Sequence, residues 1–323
     1  MAERESTVTP ELVHRPKFLG AGYGGMLRKD FVRNRTVYLM AVPVVAFFLI
    51  FYYVPMFGLV ISFKRFTPAL GILGSPWVGL KYFEDFFQSY FAFRIIRNTI
   101  LLSVLSLVWG FPAPIILALL INEVRVTPFK RAVQSLTYLP HFISLVVVAG
   151  LLLEFSQGGG LFNDMRGWFG AEPIPFFQDP RYFRGFYIGS GIWQEIGWGS
   201  IIYLAALSAI DPQLYEAATI DGANRFRQLL RITLPSIAPT IVVLLILRLG
   251  QLMTVGHEKI ILLYNPSIYE TADVISTFVY RKGLLDFSWS YGTAVGLFNS
   301  LINLALVVIA NAISRRVNET SLW

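Results

Sequence analysis

Apolar residues in this chain gather into long runs separated by short polar stretches, and the length of the runs is the first signal. Crossing the hydrocarbon core of a bilayer takes roughly 20 apolar residues in a helix. Stretches 37–63, 95–121, 136–155, 186–210, 237–264 and 291–313 reach that length, the fourth being weakened by Gln194 and Glu195. Pro43, Pro55, Pro112 and Pro114 fall inside runs, where neighbouring helices can satisfy the freed carbonyls and a kink is expected. Gly292 and Gly296 form a small-xxx-small pair that lets another helix approach closely. The aromatic, lightly charged segment 77–93 reads as a helix lying at the outer interface. Stretch 156–182 holds Gly158, Gly159, Gly160, Pro173, Pro175 and Pro180 and reads as a turn-rich outer loop. The pattern predicts an all-α membrane protein with six transmembrane helices. Its expected parts are a cytoplasmic tail (1–36), a six-span domain (37–314) containing a cytoplasmic loop (211–235), and a second cytoplasmic tail (315–323).

Composition supports a membrane class. Of 323 residues, 55% are hydrophobic and 15% charged, too little charge to cover a soluble domain of this size. The absence of cysteine excludes disulfides, thiolate metal sites and a cysteine nucleophile. His14, His141 and His257 are too scattered to suggest a metal site. The first residues carry Glu3, Arg4, Glu5, Glu11 and Arg15 without an apolar core, so they do not read as a secretory signal.

The net charge of +7 is read as cytoplasmic anchoring rather than nucleic-acid binding. Basic residues cluster before the first run (Arg28, Lys29, Arg33, Arg35), in 123–134, in 211–235, and at Arg315 and Arg316. This bias places both termini in the cytoplasm, and an even number of spans agrees. A nucleotide-binding P-loop needs Gly-Lys-[Ser/Thr], yet no lysine here follows a glycine. ATP therefore has to be bound by another polypeptide, and no nucleophile–base or metal constellation marks this chain as an enzyme.

The loop 211–235 carries the most information. Asp211 can cap a helix and Pro212 fits its first turn. Gly222 permits a sharp turn. A second amphipathic helix, 223–234, sets Phe226, Leu229, Leu230 and Ile232 on one side and Arg225, Arg227 and Arg231 on others, with Pro235 ending it. On physical grounds alone this is either an ordinary amphipathic connector or a docking element.

The spacing resembles a known pattern. Glu216, Ala217 and Ala218, then Gly222, Ile232, Leu234 and Pro235 match the fixed positions of the EAA motif, with Asp221 and Ala223 fitting its common form. That motif marks permease subunits of binding-protein-dependent (type I) ABC importers. The six runs, the stretch VYLMAVPVVAFFLIFYYVPMFGLVISFKRF and the late TADVISTFVYRKG resemble the LplB-like branch of carbohydrate permeases. The resemblance implies the type I permease fold in the bacterial inner membrane, with residues 215–222, from Tyr215, as the helix that enters a groove on the ATPase. It also implies a second homologous permease subunit, two ATP-binding subunits that use ATP and Mg, and an extracytoplasmic solute-binding protein. The implied cargo is an oligosaccharide, an acidic, alginate-like one in particular. A neutral sugar, a polyol phosphate or a peptide are the alternatives within this class, and an ion-coupled secondary transporter is the alternative outside it.

A sugar path needs hydrogen-bonding groups and aromatic faces at mid-membrane depth, where polar groups usually face a cavity or a partner helix. Candidates are Trp193, Gln194, Glu195 and Trp198 in the fourth run, and Arg248, Gln251 and Thr254 in the fifth. Asn299 and Asn303, one helical turn apart, are the candidates in the sixth. Arg248 could bind a sugar carboxylate bidentately, or form a structural pair with Glu195. The tryptophans could stack on sugar rings or merely pack, and the asparagines could line a path or join helices. His257 and Glu258 are placed nearer the outer end.

Overall fold

The computed structural model describes residues 31–318, which are helical almost throughout. Most of the expected N-terminal tail and residues 319–323 of the expected C-terminal tail lie outside them. The chain divides into a unit ending at Gly58 and a second beginning at Leu59.

The first helix, α1 (Arg35–Phe63), is long and strongly apolar. No residue of its Arg35–Met56 portion is buried. It accepts Pro55 through a wider π turn, Leu49–Tyr53, in which the Val54 N–H bonds to the Leu49 carbonyl five residues back. A proline ring clashes with the carbonyl four residues behind it, and the widened turn makes room for it.

The second unit contains α2 (Lys81–Gln88), α3 (Ala92–Glu123), α4 (Thr127–Phe142), α5 (Leu145–Phe155), α6 (Leu161–Gly167) and α7 (Pro180–Ser208). There follow α8 (Pro212–Ile220), α9 (Arg225–Gly250), α10 (His257–Leu263), α11 (Ile275–Val279, continued by the π turn Tyr280–Leu285) and α12 (Trp289–Asn318). Among the described residues, α1, α3, α9 and the Trp289–Ala312 part of α12 are long and apolar enough to cross a membrane. The bent pair α4–α5 makes a fifth if counted as one crossing. Helix α7 runs for 29 residues, about 43 Å, but buries Ser190, Gln194 and Ser200 along its middle. Its N-terminus is capped by Asp179, which accepts the Arg181 N–H at 2.9 Å, and side-chain hydrogen bonds from Arg181 hold that carboxyl below its usual range.

Three apolar clusters hold this unit together. One joins α3, α5, the start of α7 and α10 through Leu102, Ala149, Phe183, Ile260 and Leu263. A second joins α2, α3, α11 and α12 through Phe86, Ile95, Phe278 and Val295. The third lies at the end of the bundle that carries the 211–235 loop and joins α3, α7 and α9 through Ala118, Tyr203, Leu207 and Ile237. Glycines set the closest approaches. A Cβ on Gly197 would run into the Thr137 carbonyl of α4, and one on Gly292 would come within 2.6 Å of the Gly283 Cα. The approach expected at Gly292 is thus made by the π turn of α11.

Four expectations are corrected. The third apolar run is not one helix: α4 and α5 meet at 97°. Pro140 sits in a terminal 3-10 turn, Ile143 is extended, and Ser144 caps the new helix. The fifth run breaks after Gly250 and resumes at His257. The aromatic segment 77–93 is helical only over Lys81–Gln88 before α3 begins at Ala92. Finally, Pro235 does not end the second loop helix. The π turn Leu229–Thr233, with the Leu234 N–H bonded to the Leu229 carbonyl, absorbs the proline as in α1, and the helix runs on to Gly250.

Candidate functional site

The 211–235 loop is built by local chemistry. Asp211 Oδ1 accepts the Gln213 N–H at 2.9 Å, capping α8, and Pro212 occupies the first turn, where its missing N–H costs nothing. Helix α8 closes when the Ala223 N–H reaches back to the Ala218 carbonyl at 2.8 Å, which Gly222 permits by adopting φ +72°. Asn224 then caps α9 through the Arg227 N–H at 2.8 Å. Two contacts fold α8 back on α9: the Tyr215 hydroxyl lies 3.0 Å from Thr233 Oγ1, and Gln228 Nε2 donates to Thr219 Oγ1 at 3.0 Å. Arg225 pairs with Glu123 at 2.5 Å and ties the loop to the end of α3.

Of the motif residues, Glu216, Ala217, Asp221, Gly222 and Pro235 are exposed, while Ala218, Ile232 and Leu234 are half-buried. Glu216 has no hydrogen-bond or ion-pair partner among the described residues. The expected apolar stripe divides: Leu229 and Ile232 turn partly inward, whereas Leu230 and Phe226 stay out, Phe226 being 67% exposed. With Ile220 (87% exposed) and Leu214, Phe226 gives the loop an outward apolar surface next to an unpartnered carboxylate.

Elsewhere in the unit, α3, α7, the end of α9 and residues 251–259 border a half-open cavity of about 650 Å³ with a mainly apolar wall. Gln194, Glu195, Arg248, Gln251 and Thr254 line it, joined by His257, Glu258 and Lys259. The other expected path residues lie elsewhere. Trp193 lines a separate apolar cavity with Leu152, Phe155 and Phe186. Trp198 stacks on the His141 ring with centroids 4.5 Å apart. Asn303 Oδ1 accepts the Met253 N–H at 2.9 Å, and Asn299 Nδ2 donates to the Met253 carbonyl at 3.3 Å. The asparagines thus satisfy the backbone freed where the fifth run breaks. Gln194 does the same for the third run, donating to the Ile143 carbonyl at 3.0 Å.

The pairing weighed for Arg248 is absent. Glu195 instead meets His141 Nδ1 at 3.1 Å, and Arg248 has no ion pair among the described residues. Lys259 is a cavity residue that the sequence pattern did not single out, although a lysine in an apolar run was a visible signal.

A second polar cluster escaped the sequence reading. Asp273, fully buried, is bound by Arg281 at 2.7 Å, Thr277 Oγ1 at 2.9 Å and, more loosely, Arg94 at 3.7 Å. Asn98 Nδ2 donates to the Asp273 carbonyl at 3.1 Å, and its Oδ1 accepts from Arg184 at 3.2 Å. The segment TADVISTFVYRKG therefore carries a buried ion-pair network joining α3, α7 and α11. Among the described residues no group of three or more metal-binding side chains comes together.

Comparison with known proteins agrees with this architecture. Residues 97–319 match the family model described as binding-protein-dependent transport system inner membrane component. The polygalacturonan/rhamnogalacturonan transport system permease protein YteP of Bacillus subtilis (strain 168) is 47% identical over 90% of this chain and 91% of its own. Protein LplB of the same organism is 42% identical over 94% and 96%. A chain in the crystal structure of a bacterial ABC transporter involved in the import of the acidic polysaccharide alginate superposes with a TM-score of 0.86. It is 49% identical, over 91% of this chain and 99% of that one. A chain of a bacterial alginate ABC transporter in complex with an alginate pentasaccharide-bound periplasmic protein gives the same TM-score at 48% identity, over 92% and 99%. From the family match across most of its second unit and the close relatives that span nearly its whole length, this chain belongs to the inner-membrane components of binding-protein-dependent transport systems, the permease subunits of bacterial ABC importers.

Proposed function

We propose that this permease imports acidic oligosaccharides handed over by an extracytoplasmic binding protein. The observation that carries the charge preference is this cavity, where Arg248 stands without a carboxylate partner among the described residues. Two similar proteins support it from a second direction, since alginate and polygalacturonan are both uronic-acid polymers. The permease works beside a second homologous permease and two ATP-binding subunits that hold ATP and Mg. This chain itself catalyses nothing.

In the proposed arrangement the chain crosses the membrane six times: α1, α3, the bent pair α4–α5, α7, α9 with α10, and α12. Both termini and the 211–235 loop lie in the cytoplasm. Helix α8 is the coupling helix, and Glu216 with the apolar side chains Ile220 and Phe226 meets the ATPase. Closure of the ATPase pair on ATP moves α8, and its bonds to α9 carry the motion into the bundle as a rigid-body rocking of helices.

The test is ATPase stimulation of the reconstituted importer, with binding protein present, by alginate and galacturonate oligomers set against neutral oligosaccharides of equal length. Stimulation by the acidic series alone is expected. Equal stimulation by neutral sugars would overturn the charge preference.

A further inference from the structure

We propose that Lys259, which lines the same cavity as Arg248, reads a substrate carboxylate there. The inference rests on the acidic-oligosaccharide reading above and assigns its selectivity to one side chain. Lys259 is only 7% exposed, and no carboxylate lies within ion-pair distance of it among the described residues. A buried ammonium with no anion in contact is costly, so its retention points to a partner that comes and goes.

Among the described residues its ammonium donates one hydrogen bond, to the Tyr187 carbonyl at 3.0 Å, and it lies 5.1 Å from the Tyr187 ring centre. An ammonium has three donors, so two remain. Beside it stands Gly191, where an added Cβ would make ordinary van der Waals contact with the Lys259 nitrogen at 3.5 Å. Both residues line the cavity. Of the nearby acids, Glu195 attracts Lys259 only from beyond ion-pair distance and is bound to His141 at 3.1 Å, while Glu258 is exposed.

A desolvated cation selects strongly. A carboxylate brought to it interacts through a low-dielectric surrounding, whereas a neutral sugar would leave the charge unpaired. Successive rings of a uronic-acid chain each carry a carboxylate, so one ring can meet Lys259 while another meets Arg248. The alternative role for Lys259 is a tether between α10 and α7, which would make no distinction between charged and neutral cargo.

The experiment measures calorimetric binding of galacturonate oligomers and their methyl esters to the detergent-solubilised complete importer, without binding protein. The esters keep the sugar backbone and remove its charge. The wild type is expected to bind the free acid at least about tenfold more tightly, the scale of a charge-assisted hydrogen bond. Lys259→Met is expected to abolish most of that preference while leaving ester affinity within about twofold, and Lys259→Arg to keep most of it. A Lys259→Met importer with the wild-type preference, one that loses acid and ester binding equally, or a wild type with no preference would overturn the proposal. Should Lys259→Met fail to assemble, Lys259→Gln keeps a hydrogen-bond donor without the charge and is expected to lose most of the preference; an intact preference there would overturn the proposal too. A wild-type importer whose ATPase responds to neutral oligomers as well as to acidic ones removes the parent reading, a result visible before any variant is made.

Discussion

The hydroxyl of Tyr215 in α8 lies 3.0 Å from the hydroxyl of Thr233 in α9, and this bond joins the exposed loop helix to the long apolar helix behind it. Thr233 is buried and occupies the last position of the π turn that precedes Pro235. The one bond thus meets the point at which α9 changes from loop helix to membrane helix. If α8 is the coupling helix, Tyr215→Phe and Thr233→Val should each reduce transport a few-fold, and the double variant should be no worse than the worse single one. The pair is expected to be worth about 1 kcal/mol. Uptake in a double-mutant cycle checks this, and additive losses would count against the bond as a link.

Gly222 sits at φ +72°, a conformation that costs a residue with a side chain about 1–2 kcal/mol. Open space surrounds it, so Gly222→Ala tests backbone freedom without a steric clash. Reduced co-purification of the ATP-binding subunit is expected, with a deeper loss for Glu216→Lys, which reverses the exposed charge. Assembly and uptake at wild-type levels in Glu216→Lys would sink the docking role.

The chain has no cysteine, so single-cysteine labelling can map its topology directly. Ile220 and Trp168 are 87% and 77% exposed and lie in the segments between α7 and α9 and between α5 and α7. In vesicles lacking the ATP-binding subunits, Ile220→Cys is expected to react with a membrane-impermeant maleimide only when inverted, and Trp168→Cys only when right-side-out. Labelling of both from one side would refute the proposed crossing by α7.

Arg248→Ala should lower uptake of acidic oligomers while leaving assembly intact, because Arg248 makes no ion pair among the described residues. The measurement is uptake against complex yield on size-exclusion chromatography. Loss of assembly without any substrate effect would assign Arg248 to the interface instead.

Asp273→Asn should be far more damaging to stability. It removes the charge that offsets Arg281 and Arg94 at a fully buried position. Breaking one side of a buried ion pair typically costs about 3–5 kcal/mol. A clear fall in apparent unfolding temperature is expected, with a smaller fall for Thr277→Val.

The cap at Asp211, the turn at Gly222 and the long apolar runs are legible along the chain because each depends on near neighbours. A cap needs an acceptor just ahead of the helix for an N–H two or three residues on, and a left-handed turn favours glycine. The EAA spacing is legible for the same reason. The breaks at 143–144 and 251–256 are not. Hydropathy measures whether side chains suit an apolar surrounding and says nothing about whether the helix is continuous. A broken backbone is stable there only because side chains distant in sequence answer its polar groups: Gln194 for Ile143, Asn299 and Asn303 for Met253.

Membrane class and the loop's construction were thus determined by the sequence itself. The tertiary structure decided who meets whom. It gave Glu195 to His141 rather than to Arg248, turned Asn299 and Asn303 to the backbone and brought Lys259 to the cavity wall. Partners of buried charges are chosen by packing across residues tens of positions apart, and no local pattern encodes that geometry.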